Sequence, residues 1–273
     1  MADNASITHI DIPFPQASEY HLRLRVGGCK LTITPSDQES WVAGSYDDPT
    51  NALPVQIDSQ EGRVTISQDT NWSNWQDLRG RTPSLNLTIG KGKPFELTIE
   101  SGASQADIDL GGLPITKFSS RQGAGKYTID FSAPNPEVMS KLELSSGAVG
   151  MTARNLANAN FEELRLEGGA ASSKVDFGGS LRRDGKVRIT TGVSSVEVTV
   201  PTSTPARIST ESVLGHLDVG DGFMTKEKAF WTEAALMGHS PSLNIHATVA
   251  LGVMRLRTSG AEVERKVLEP GTV

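Results

Sequence analysis

The chain has 273 residues, with 32 acidic against 26 basic side chains and a net charge of −6, enough length for one large core or two modest ones. The acidic balance and the lack of a basic cluster argue against a nucleic-acid partner. A single cysteine, Cys29, rules out an intramolecular disulfide, and no apolar run approaches the roughly 18 residues that a membrane span needs.

Residues 1–18 are polar, contain proline and read as an extended N-terminal segment. Their start, Met1-Ala2-Asp3-Asn4-Ala5-Ser6, has neither the basic nor the apolar stretch of a secretory signal, which predicts a cytoplasmic protein. A signal or anchor preceding this stretch would move it to the cell envelope. Residues 19–90 form an N-terminal β region. His21-Leu22-Arg23-Leu24-Arg25-Val26 alternates with period two, so Leu22, Leu24 and Val26 share a face. Gly27-Gly28 then turns the chain, and Cys29 opens the next strand as a small buried hydrophobe. Further short strands lead to a polar loop holding Trp72 and Trp75. Residues 91–260 are repeats, and 261–273 are a polar tail. Only 136–141 and 227–235 have any helical character, and both are short enough to be turns.

The repeats carry the fold. A small residue, a glycine and another small residue precede alternating apolar and polar positions, as in Gln122-Gly123-Ala124 before Tyr127-Thr128-Ile129-Asp130-Phe131. The glycines fall at 102, 123, 147, 169 and 192, with a degenerate copy at 215, in steps of 21, 24, 22, 23 and 23 residues. Self-similarity at this period marks a repeat architecture. Each repeat pairs one strong strand after the glycine with a weaker one before the next, at 115–118, 142–144, 164–166 and 187–189. Strands without intervening helices predict an all-β protein. The period predicts a single-stranded β-solenoid of stacked short parallel strands with Gly corners, each coil buried against its neighbours. An antiparallel sandwich with hairpin glycines is the rival arrangement. In the stacked arrangement 243–256 would be the last strands, with an open edge that either pairs with a partner or is shielded by the tail.

The segment Leu97-Thr98-Ile99-Glu100-Ser101-Gly102-Ala103 through Ile108-Asp109-Leu110-Gly111-Gly112-Leu113 and its next copy resemble the bacterial toast-rack β-solenoid family. That family includes adhesins of unknown function and the C-terminal domain of the cell-wall-antibiotic-response protein LiaF. Trp231-Thr232-Glu233-Ala234 leading into 240–256 is similar too, so the resemblance spans about 20–258. It implies a noncatalytic interaction scaffold, often tied to the bacterial cell envelope or its stress response. A surface adhesin or carbohydrate-binding module is the alternative.

No catalytic, cofactor-binding or metal-binding residues stand out. Gly123-Ala124-Gly125-Lys126-Tyr127-Thr128 resembles the end of a phosphate-binding loop, yet lacks the upstream glycine and the Ser/Thr after the lysine. The five histidines have no metal-ligand spacing. Asp218-Val219-Gly220-Asp221-Gly222 lacks the distal glutamate of a calcium loop. Alternate Asp and Glu residues, such as Asp109, Asp130 and Asp176, read as a solvated outer face. Trp72 and Trp75 are the candidate recognition loop: they either stack on a sugar or cap the end of the core. A protein partner or self-association is expected, with carbohydrate as a further possibility. Far-UV circular dichroism of the purified chain should show a β spectrum; helix above about a third of residues, the ordinary globular share, would contradict the all-β reading.

Overall fold

The structure, a computed structural model, describes residues 6–51, 53–68 and 82–260. In chain order the strands are β1 (Ser6–Pro13), β2 (His21–Val26), β3 (Lys30–Ser36), β4 (Ser40–Asp48), β5 (Val55–Gln60), β6 (Arg63–Gln68), β7 (Ser84–Gly90) and β8 (Phe95–Asp109). They continue with β9 (Ile115–Asp130), β10 (Met139–Arg154), β11 (Phe161–Asp176), β12 (Gly185–Pro201), β13 (Ala206–Val219), β14 (Phe223–Lys226), β15 (Ala229–Thr232) and β16 (Leu243–Ser259). The protein is all-β. The described residues add one α-helical turn, α1 (Glu233–Leu236), and a 3-10 turn at Leu156–Ala159. Residues 136–138 are not helical, and 139–141 already belong to β10, whose Leu142 and Leu144 alternate into the core.

The two short strands expected around each glycine are one continuous strand of 14 to 17 residues in β8 to β13 and β16. Each has two arms meeting at the corner. In β8 the first arm turns Leu97 and Ile99 inward; Gly102 and Ala103 then both face solvent, and the second arm turns Ala106 and Ile108 inward. Inward parity therefore switches from odd to even across the corner, a bulge-like step that bends the strand while its register with the neighbouring strands is kept. β2 and β3 form the same two arms with Gly27-Gly28 as their corner: Leu22 and Leu24 pair with Leu97 and Ile99, and Leu31 and Ile33 with Ala106 and Ile108. The ladders from β8 to β12, on to β16 and then to β13 are all parallel, which sets the sandwich arrangement aside.

The core fills the inside of the bend. Leu97, Phe118, Leu142, Leu164, Val187 and Ile245 line up in register on the first arms. Ile108, Ile129, Ala153, Val175, Val198 and Leu256 do so on the second. All of them are buried. The inner corner is polar because ladder bonding lapses there. Gln122 Nε2 donates to the Ser104 carbonyl at 2.9 Å, Ser194 Oγ to Thr191 Oγ1 at 2.7 Å, and Ser120 bonds to Tyr127 across the bend. An aromatic cluster completes the N-terminal core: Trp41 lies 5.8 Å from Phe14, 5.7 Å from Tyr20 and 6.0 Å from Phe95 between ring centroids.

Spatial order departs from chain order at both ends. β6 and β7 stack outside β2 and β3, although they follow them in sequence. At the other end β16 does not form the edge that the sequence predicts. It is inserted between β12 and β13, and β13 is the outermost long strand. The glycine of the degenerate copy is also displaced. Gly215 pairs with Gly252 and lines up with Ser194, two places past Gly192, whose neighbour on β16 is Ala250. Antiparallel strands close the ends: β5 on β6, β4 on β7 with β1 outside it on β4, and the β14–β15 hairpin on Arg207 and Ile208 of β13.

Tyr127, Ile129 and Phe131 point inward, while Lys126, Thr128 and Asp130 reach solvent. Ile129→Ala should therefore cost about 2–5 kcal/mol in denaturant melts, as buried truncations do. Thr128→Ala should stay within about 0.5 kcal/mol. The reverse order would mean a register slipped by one residue.

Candidate interaction surface

On the outer side of the first arms, alternate residues of eight strands align into three rows. The row nearest the corner is Arg25, Glu100, Arg121, Ser145, Glu167, Thr190, Thr248 and Glu211. The next is Arg23, Thr98, Ser119, Glu143, Arg165, Arg188, His246 and Ser209. The farthest is His21, Glu96, Lys117, Lys141, Glu163, Lys186, Asn244 and Arg207. Together they hold nine Lys or Arg against six Glu, a local excess of three cations in a chain whose net charge is −6.

Glu100 anchors the N-terminal end of this face. Arg23 Nη2 donates to both its oxygens at 2.8 and 2.9 Å, Arg25 Nε lies at 3.3 Å and Arg121 Nη1 at 3.9 Å. Further along, Lys141 pairs with Glu143 at 2.5 Å and Arg165 with Glu163 at 2.7 Å. The Arg165 hydrogen bond and charge hold the Glu163 carboxyl below its ordinary range, and the glutamate in turn raises Arg165. Among the described residues Lys117, Lys186 and Arg188 lie outside any ion pair within 4 Å. At the C-terminal end Arg207 sits 5.6 Å from the Trp231 ring and Lys226 6.0 Å from it.

Beside the row nearest the corner runs an open groove of about 940 Å³. Its floor is Gly27, Gly102, Gly123, Gly147, Gly169 and Gly192, with Ala250 at the far end. Six strand spacings of about 4.8 Å make it ~29 Å long. The floor is glycine because the strands approach closely here. A Cβ on Gly147 would meet the Gly123 carbonyl oxygen at 2.5 Å, and one on Gly123 would meet that of Gly102 at 2.8 Å. Gln68 fixes the first corner, its Oε1 accepting the Gly27 and Gly28 amides at 2.9 and 3.1 Å.

The outer face of the second arms is used differently. Asp109, Asp130 and Asp176, expected as a solvated face, fasten the turns where strands end. Asp109 accepts from the Gly111 amide at 2.8 Å and from Ser132 Oγ, Asp130 from Asn155 Nδ2 at 2.7 Å, and Asp176 from the Gly178 amide at 3.2 Å. Lys126 of the loop-like glycine string is exposed on β9, with no helix following. Asp218 pairs with Arg257 at 2.5 Å across β13 and β16. Cys29 is buried, and burial pushes its thiol up to about 12. Burial also raises the phenols of Tyr46 and Tyr127. Trp72 and Trp75, the sequence-predicted recognition loop, lie outside the described residues, as does the 261–273 tail. Among the described residues no group of three or more His, Cys, Asp or Glu is placed to hold a metal ion. No helix among them is long and apolar enough to cross a membrane. The charged face was missed at the level of single strands. Its signal lay in Lys141-Leu142-Glu143, Glu163-Leu164-Arg165 and Lys186-Val187-Arg188, charged residues alternating just before each corner.

Long parallel strands, a glycine-floored corner and a charged outer face define an all-β repeat protein. Residues 2–136 match the N-terminal domain of toast_rack, DUF2154, so this part of the chain is a toast-rack domain. Comparison with the curated proteins finds no match. Two solved structures are similar over nearly the whole chain. One is a candidate cell adhesion protein from Clostridium sporogenes, 18% identical with a TM-score of 0.48, covering 93% of this chain and 100% of that one. The other is a candidate adhesin from Bacteroides fragilis, 11% identical with a TM-score of 0.41, covering 94% and 98%.

The Arg257 hydrogen bond, and after it the Arg257 and Arg255 charges, lower the Asp218 carboxyl. A depressed folded-state value means that the pairing supports the fold above the unfolded Asp value and is lost as pH falls through the folded one. An NMR titration should place the Asp218 midpoint below that of an unfolded-chain aspartate, and Arg257→Ala should move it upward. An unchanged midpoint in the variant would remove the ion pair as the cause.

Proposed function

We propose that this protein is a noncatalytic β-solenoid module that works as an interaction scaffold, holding an extended acidic segment of a protein partner against its cationic sheet face and glycine-floored groove. The excess of three cations on that face, in an acidic chain, carries the reading. Lys117, Lys186 and Arg188 stand on the face outside any close ion pair, so a ligand carboxylate meets them without displacing an internal partner. The groove gives an extended chain a floor free of side chains. The solenoid reading is supported by bent strands that repeat once per coil in parallel register. The family resemblance supports a link to the bacterial cell envelope and its stress response.

A fluorescent oligoglutamate peptide tests the reading. It should bind the full chain with an affinity that falls as salt rises. Combining Lys117→Glu, Lys186→Glu and Arg188→Glu should weaken it at least tenfold while leaving the melting temperature within a few degrees. Binding that survives the triple change overturns the charged face as the site. Saturable binding of a neutral polysaccharide, unaffected by the triple change, would favour the carbohydrate-binding alternative.

A further inference from the structure

The stack of two-armed strands has four arm ends, and three are closed by an antiparallel strand: β5 on β6, β4 on β7, and β15 on Arg207 and Ile208 of β13. The fourth is the second arm of β13. Among the described residues it pairs on its inner side with β16, and no strand lies on its outer side. The core is unfinished there. Leu217 and Val219 are half-buried, whereas Met254 and Leu256 beside them on β16 are buried. On the outer side of the same corner Leu214, Leu251 and Val193 align in one row and are 71, 46 and 58% exposed. The open stretch, 209–219, contains neither lysine nor proline, the residues with which edge strands usually discourage pairing.

We propose that this edge joins a second copy of the chain, with β13 pairing antiparallel to β13 of its partner about a two-fold axis through the corner. The parity switch selects the register. On the first arm the even residues Thr210 and Ser212 share the inward side of buried Ala247 and Val249 by register, and on the second the odd residues Leu217 and Val219 share that of Met254 and Leu256. Antiparallel partners share a face, so each opposed pair must join an even residue to an odd one. Opposing Thr210 with Leu217 places Glu211 opposite His216 and ends the ladder beside β15. A shift of two residues one way sets Glu211 against Asp218. A shift the other way collides with β15 on Ile208. The two-fold exchanges the arms and keeps both cores on the inner side of the bend, so Leu217 of each copy is covered and the apolar rows become adjacent. The pairing leaves the cationic face of the first arms open and does not depend on what binds there.

Light scattering on the full chain at micromolar concentrations should give twice the chain mass. His216→Glu sets two Glu-Glu contacts across the axis and should weaken the dimer at least tenfold, and adding Glu211→Lys should restore it. Glu211→Cys and His216→Cys proteins should crosslink when mixed and oxidised, and neither should do so alone. A monomeric full chain overturns the proposal. A monomer that dimerises once 261–273 is removed does so too, and assigns the edge to the tail. A dimer indifferent to His216→Glu and silent in the mixed crosslink also overturns it, because it uses another surface.

Discussion

Close approach of successive strands at one corner is the constraint from which the rest follows. The Ala103 amide reaches the Gly27 carbonyl at 2.8 Å, and the equivalent glycine of each following strand sits over the one before. A side chain there would wedge neighbouring strands apart, so from β8 through β12 to β16 the corner carries glycine or, at Ala250, the smallest alternative; only on the outermost strand, β13, is the aligned residue larger, Val213. With the corner fixed, each strand bends at the same place and its two arms fall into register with those of every neighbour. One core row per arm position results, together with the aligned charge on the outside. Stability is then close to a sum over strand-to-strand interfaces, and the polar inner corner keeps the freed carbonyls bonded.

The two ends solve one problem in different ways. A stack of parallel strands exposes both a row of core side chains and a row of unpaired backbone at each end. At the N-terminal end the solution is generous: antiparallel strands cover both arms, and Trp41 packs with Phe14, Tyr20 and Phe95 inside them. At the C-terminal end a small hairpin and α1 cover one arm of β13.

Much of this was legible because period-two alternation and glycine spacing are local properties. The inward set Tyr127, Ile129 and Phe131 follows from five consecutive residues, and the corner glycines from 102 to 192 follow from their steps. Pairing order was not legible. The inward residues of β16, Leu243, Ile245, Ala247 and Val249, suit a terminal strand as well as an inserted one, since any apolar row of that period packs on any other. Gly215 misled for a related reason: Leu214-Gly215-His216 copies the motif, but register aligns it with Gly252, whose φ of 136° places a second glycine requirement two residues past the corner. A Cβ on Gly252 would lie 1.9 Å from the Ser194 carbonyl oxygen. The charged face is written in short Lys/Glu/Arg alternations, each too brief to signal a surface until the ladder sets them side by side.

The insertion of β16 between β12 and β13 gives the molecule a built-in order of assembly. Strands β8 to β12 each dock on the one just made, so that part of the stack can grow as the chain emerges. β13 cannot join in turn, because the partner it needs begins at Leu243, 24 residues beyond its own last residue, Val219. Apart from the β15 contact at Arg207 and Ile208, it must wait until β16 has been made and has slid into place. The last interface of the stack thus closes late, as a non-local step in a chain otherwise built from neighbours. The finished fold in turn becomes a mechanical lock: the final long strand, held on both sides, cannot be peeled away without first releasing the strand outside it.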